Sequence, residues 1–287
     1  MGNLQSANRS GVEGAKSRFR GRSYLPRVSL CSAVVCLSLG VGLYCGWRFD
    51  KTVLRHKAIE ITASSRLDSS RIVAINNWVS SINGVAKNDG YFVFAALGPT
   101  PLQILQKGGD CADKSRLAAA MLNELGIEAG LVMIRSCSDC PFGHTVVEAR
   151  YERGRMVIDP LWGVDYPAGD GRYLGVGELA WTNLAERRLV DLQSRHGPIG
   201  KIATMPARDA IFDHAVAINW NKNFATITMV ELMRLTGYPP EKMFRPRFLE
   251  DPKLALIYLL VIMGLVLAAP SVVALRSPDG KSTGTLE

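Results

Sequence analysis

The sequence predicts an α+β domain held between two membrane-spanning helices. Three observations carry this expectation: two charge-free apolar runs near the ends of the chain, helix-periodic segments early in the stretch between them, and strand-like runs with a hairpin signal after those. The 287 residues are 47% hydrophobic and only 21% charged, a balance that excludes a disordered or highly charged chain.

The first run, Ser29 to Trp47, has no charge in 19 residues, and the second, Leu254 to Leu275, has none in 22. As helices they would be about 28 and 33 Å long, against a hydrocarbon core of about 30 Å. A cleaved signal peptide is the other reading of the first run. Its long basic lead and the lack of a small-residue cleavage site favour an uncleaved helix. Arg9, Lys16, Arg18, Arg20, Arg22 and Arg27 stand against Glu13 alone, so +5 of the net +8 lies in residues 1–27. Positive charge directly before an apolar run marks a cytoplasmic flank. A nucleic-acid binder would cluster its basic residues on a folded domain, so that class is excluded.

The expected organisation follows. Residues 1–28 form a basic cytoplasmic segment, 29–47 and 254–275 the spans, and 276–287 a cytoplasmic tail. Residues 48–253 form an extracytoplasmic domain with a core over about 69–165 and a helical extension over 169–253. Arg245, Arg247 and Lys253 before the second span oppose this orientation mildly, but long domains translocate largely regardless of charge.

Within the domain, Ile72, Ile75, Trp78, Val79 and Ile82 recur at helical spacing, with Asp68 or Ser69 as the N-cap. A second helix is predicted from Cys111 to Leu125, buried through Leu117, Ala120, Met121, Leu125 and Ile127, and stopped by Gly126. Strands are predicted at 128–135, 144–152 and 155–159, the last two joined by a turn at Arg153–Gly154.

Cys111 follows Gly108, Gly109 and Asp110 at the start of the Ala-rich helix. A thiol there meets the positive end of the helix dipole and unpaired amides, which favour the thiolate, and the Cys111 amide could donate to an oxyanion. A nucleophilic cysteine needs a base, and the base an orienting group. His144 and Asp159, on consecutive strands, are the candidates. With a turn at Arg153–Gly154, Asp159 would face Glu148, leaving His144 about 13 Å along the strand. A triad therefore requires a shifted turn or a bulge.

The segments GGDCADKSRLAAAMLNELGIEA and GHTVVEARYERGRMVIDPLWG, with the preceding helix ending NWV, resemble the transglutaminase-like superfamily of papain-like cysteine enzymes. The resemblance covers about 90 residues, from Ile72 to Trp162, and points to a bacterial membrane-anchored type. It implies a papain-like core in which a helix bearing the cysteine packs on an antiparallel sheet. Cys111 would be the nucleophile, His144 the general base and Asp159 the orienter. One departure is Val146, where the family often has an aromatic residue. Gln103 and Gln106 are candidates for the second oxyanion donor.

The expected function is that of a thiol enzyme in a bacterial inner membrane, acting on a peptide or protein amide as peptidase, amidase or transamidase. A non-catalytic module that binds envelope- or polysaccharide-assembly partners is the alternative. No cofactor is expected, since His56, His196 and His214 lack partners at metal-ligand spacing. Trp162 reads as a core residue, with an active-site wall as the lesser option. Cys137 and Cys140 form a C-x-x-C before His144. Zinc would need a second ligand pair, and a redox pair would sit at a helix N-terminus. A structural disulfide holding the loop that aims His144 is what an oxidising compartment permits.

Overall fold

The computed structural model describes residues 24–82, 84–93, 97–135, 142–179, 215–217, 224–237, 247 and 250–276. Cys137, Cys140, His196 and His214 lie outside them, as do residues 1–23, 277–287 and most of the expected helical extension. The elements run α1 (Tyr24–Ile61), α2 (Asp68–Ser81), α3 (Pro101–Lys107), α4 (Cys111–Glu124), β1 (Ala129–Arg135), β2 (Phe142–Tyr151), β3 (Gly154–Asp159), β4 (Val164–Asp165), α5 (Val176–Leu179), α6 (Phe224–Leu235) and α7 (Pro252–Arg276). Helices precede an antiparallel sheet, as expected from the sequence. The chain divides into two compact units, residues 1–47 with 253–287, and residues 48–252.

In the first unit, α7 and the early part of α1 are long and apolar enough to cross a membrane. They pack antiparallel through small residues. Gly40 lies against Leu260 and Val261, and a Cβ on Gly264 would stand 2.7 Å from Leu37 Cγ. The Ser29 hydroxyl donates to the Leu267 carbonyl. Glycine at such crossings lets backbones approach closely where the solvent gives no hydrophobic drive.

The helix does not stop at Trp47, where the apolar run ends. It continues to Ile61, and Leu54 and Ala58 enter the core of the second unit with Ile72, Ile75, Val79, Leu117, Met121 and Leu122. Residues 48–61 carry too little apolar periodicity to be read as helix alone; the continuous helix before them supplies the nucleus.

The sheet is a meander in the order β1-β2-β3-β4. Leu131, Val147, Ala149, Met156 and Ile158 face the helices. Val132, Ile134, Val146 and Val157 form a second cluster with Val164, Tyr166, Leu174 and Leu179, against which Trp162 packs partly buried. A short fourth strand, too brief to read from alternation, and an isolated bridge between Met133 and Val216 extend the sheet on its two sides.

Two predicted details are corrected. The turn between β2 and β3 is Glu152–Arg153, with Tyr151 paired to Gly154, so the register moves by two residues. The first residue before α2 is Leu67, with no side-chain cap, and Asp68 is already helical. Glu152, at the tip of the hairpin, takes the capping role instead. Its carboxylate accepts from the Ser69 amide at 3.1 Å and the Ser69 hydroxyl at 2.7 Å. Slight burial opposes ionisation, but these Ser69 bonds and nearby Arg153 outweigh it and hold the carboxyl below its usual range. The far end of α4 closes as predicted. Gly126 adopts φ 83°, its amide bonds the Asn123 carbonyl, and the Ile127 amide bonds that of Leu122, a Schellman closure.

Glu152→Ala should cost about 1 kcal/mol, the usual loss for a removed cap, and lower the melting temperature by about 3 °C. Thermal unfolding of the full chain in detergent measures this. An unchanged melting temperature would mean that the cap does not support α2.

Candidate active site

Cys111 is the first residue of α4, and the local sequence explains why the helix begins there. Asp110 is the N-cap. Its carboxylate accepts the amides of Ala112 and Asp113, and Asp113 returns a bond to the Asp110 amide, completing a capping box. The Cys111 amide is the one in that first stretch which the Asp110 carboxylate does not engage. Gly109 is required by packing, because a Cβ there would stand 2.7 Å from the Asp113 carboxylate oxygen.

Asp113 is buried, and its carboxylate also accepts the Asn88 amide at 3.0 Å. Burial raises its pKa, the Asn88 bond pulls it down, nearby Asp110 raises it and Arg116 lowers it, for a net upward shift. The Asn88 side chain donates to the Gly108 carbonyl at 2.7 Å. The loop before α3 is thus fastened to the glycine pair ahead of the cysteine. One turn along α4, the fully buried Ser115 donates to the Thr145 carbonyl at 2.9 Å. That bond links the cysteine helix directly to the residue after His144.

His144 Nε2 lies 2.6 Å from Asp159 Oδ2, both side chains nearly sealed from solvent. Two features of the sheet bring them together. The Glu152–Arg153 turn pairs Val147 with Ile158, so the register, continued one residue, sets Asp159 opposite Val146, one pleat from His144 on the same face. In addition, the β1–β2 register shifts after the Ile134–His144 pair, with Arg135 opposite Phe142, leaving Gly143 as an extra residue. A bulge of this kind re-aims the neighbouring side chain. Of the two routes the spacing left open, the shifted turn is the one that sets the β2–β3 register, and the bulge lies in the β1–β2 pairing.

Asp159 is itself held. Its Oδ1 accepts the Leu161 amide at 3.0 Å, and its carbonyl accepts from Gly163 at 2.8 Å. With Nε2 committed to Asp159, Nδ1 is left for another partner, and the Cys111 thiol is near enough to act on the imidazole. Burial alone would lower the histidine pKa. The charge and hydrogen bond of Asp159, joined by those of Cys111, outweigh it and raise the pKa from its usual 6.5 to about 10.

Gln103 completes the capping box of α3 with Thr100, its Oε1 accepting the Thr100 amide at 2.8 Å, and Gln106 is exposed. His56 lies away from this site, in a groove with Trp78 and Leu105. Sequence reading also passed over Asp113, Lys114 and Ser115, three consecutive polar residues that are all buried. The signal was available: positions 111, 114, 115 and 118 share one helix face.

A histidine whose folded-state pKa is raised adds stability below its unfolded value, and that stability is lost as pH rises through the folded value. The melting temperature of the full chain should therefore fall between about pH 6.5 and 10, and Asp159→Asn should start lower and flatten that decline. A wild-type melting temperature constant across this window would contradict the imidazolium assignment.

No curated protein and no solved structure matches the chain. The model of the transglutaminase-like superfamily matches residues 55–160, from the second half of α1 to the residue after Asp159, and over that stretch the chain is similar to the superfamily.

Proposed function

We propose that the chain is a membrane-anchored thiol enzyme that transfers an acyl group from a peptide or protein amide through Cys111, His144 and Asp159. The observation that carries this reading is the buried His144–Asp159 pair at 2.6 Å, with the Cys111 thiol near enough to act on the imidazole. The superfamily match is consistent with it, since cysteine-based acyltransferases and peptidases are general there. The helix bearing Cys111, packed against a sheet bearing His144 and Asp159, supports a papain-like core.

The chemistry follows from the arrangement. The Cys111 sulfur attacks the amide carbonyl carbon, and the carbonyl electrons move to oxygen, toward the Cys111 amide. His144 gives its proton to the leaving amine as the C–N bond breaks, which leaves a thioester on Cys111. Water or a second amine then attacks the thioester, His144 accepts its proton, and the sulfur departs. Asp159 fixes the imidazole ring and balances its charge throughout. Hydrolysis makes the enzyme a peptidase or amidase, and aminolysis makes it a transamidase.

The location proposed is a bacterial inner membrane crossed twice, with residues 48–253 outside the cytoplasm. The basic lead and the antiparallel packing of α1 on α7 support it. Assembly partners in the envelope fit that placement, and so does a disulfide between Cys137 and Cys140.

Cys111 should alkylate with iodoacetamide much faster than thiols of the unfolded chain at neutral pH, and His144→Ala should slow it by about 100-fold or more. Peptide mass spectrometry on the full chain in detergent reads this. A Cys111 no faster than an unfolded thiol would leave a non-catalytic binding module as the better reading. Reporters fused after residues 27, 165 and 287 should be active inside, outside and inside the cytoplasm; a cytoplasmic signal at 165 would overturn the location.

A further inference from the structure

Lys114 heads the fully buried side chains by volume, at 1% exposure, and sits one helical turn after Cys111. Its Nζ donates to the Ser80 carbonyl at the end of α2, 3.0 Å away. Ser80 in turn lies against Gly163, where a Cβ would stand 2.7 Å from its hydroxyl, and the Gly163 amide bonds the Asp159 carbonyl. The ammonium is therefore enclosed in the layer that closes the Asp159 turn. Burying a lysine is costly unless a charge partner is near. An uncharged donor could satisfy one backbone carbonyl at far lower cost, so the hydrogen bond to Ser80 does not by itself account for a lysine here.

We propose that Lys114 is a positioning residue for the reaction: its buried ammonium balances Asp159, so that Cys111 can carry negative charge beside His144 in a site that already holds one anion. This rests on the acyl-transfer reading above. Without Lys114, the ionised site would hold the anions Cys111 and Asp159 against the single cation His144. With it, the charges cancel. The lysine's own pKa is lowered by burial and drawn back upward by Asp159, the coupling that such a balance requires.

Among the described residues, several other charged groups on and near α4 already have partners. On α4, Asp113 and Arg116 pair at 3.6 Å and bond the loop groups Asn88 N and Pro99 O, while Asp110 caps the helix. From the sheet come His144 on β2 and Asp159 on β3. From α2 comes only the Ser80 carbonyl, because Asp68 and Arg71 pair in its first turn. The charged residue of α3, Lys107, is exposed.

The test is the pH profile of Cys111 alkylation by iodoacetamide in the full chain, in wild type, Lys114→Met and Lys114→Gln. Glutamine keeps a donor for Ser80 and loses the charge; methionine loses both. Should the methionine variant fail to fold, the glutamine variant carries the test. The inference expects both profiles to move upward by about one pH unit, with alkylation about tenfold slower below the wild-type midpoint. A glutamine profile matching wild type would reduce Lys114 to a hydrogen-bond donor and overturn the inference, as would two unshifted variants. A wild-type Cys111 no faster than an unfolded thiol would instead remove the acyl-transfer reading, and the inference with it.

Discussion

The hydrogen bond between His144 and Asp159 is the contact on which the rest of the site depends, and it exists because of where one hairpin turns. A turn at Arg153–Gly154 would place Asp159 about 13 Å from His144 along the sheet. With Glu152–Arg153 as the turn, Val147 pairs with Ile158 and the two side chains meet at 2.6 Å. Glu152 is also the carboxylate that caps α2. One residue at the hairpin tip thus contributes both to the register that brings His144 and Asp159 together and to the helix that packs beneath them. Sliding the hairpin by one turn position would separate His144 from Asp159 and strip the α2 cap together.

The cysteine reaches that pair through α4, whose start is fixed by polar groups rather than by apolar packing. Asp110 and Asp113 satisfy the first amides, Asn88 ties in the preceding loop, and Ser115 bonds the strand beside His144. The Asn88 and Ser115 bonds are buried, and a buried polar group left without its partner costs free energy on the order of 1–3 kcal/mol. The structure therefore resists any movement that would leave one of them unmade. That resistance holds α4 against the strand that carries His144. In acyl transfer, a reacting group held in place beforehand removes much of the entropic part of the barrier.

Much of this was legible in the sequence. The Cys111 helix, its Gly126 stop, the three main strands and both apolar runs follow from spacing and capping residues. The His144–Asp159 pairing was legible only as a condition, that the turn shift or a bulge form, because alternation gives the face of a side chain but not the register of a hairpin. The α2 cap was misplaced because its carboxylate comes from Glu152, 83 positions along the chain. Gln103 was assigned a catalytic option although the Thr100-Pro101 start of α3 already claims it for a capping box. Lys114 was passed over because a lysine in a helix is ordinarily solvated.

The most direct measurement is the covalent one. The full chain in detergent, mixed with an activated acyl ester and examined by intact and peptide mass, should carry the acyl group on Cys111. The adduct should disappear on addition of a simple amine, which is acylated in its place, and Cys111→Ser should form none. An acyl ester that leaves Cys111 unmodified while labelling other thiols, or an adduct that neither water nor amine removes, would contradict acyl transfer at this site.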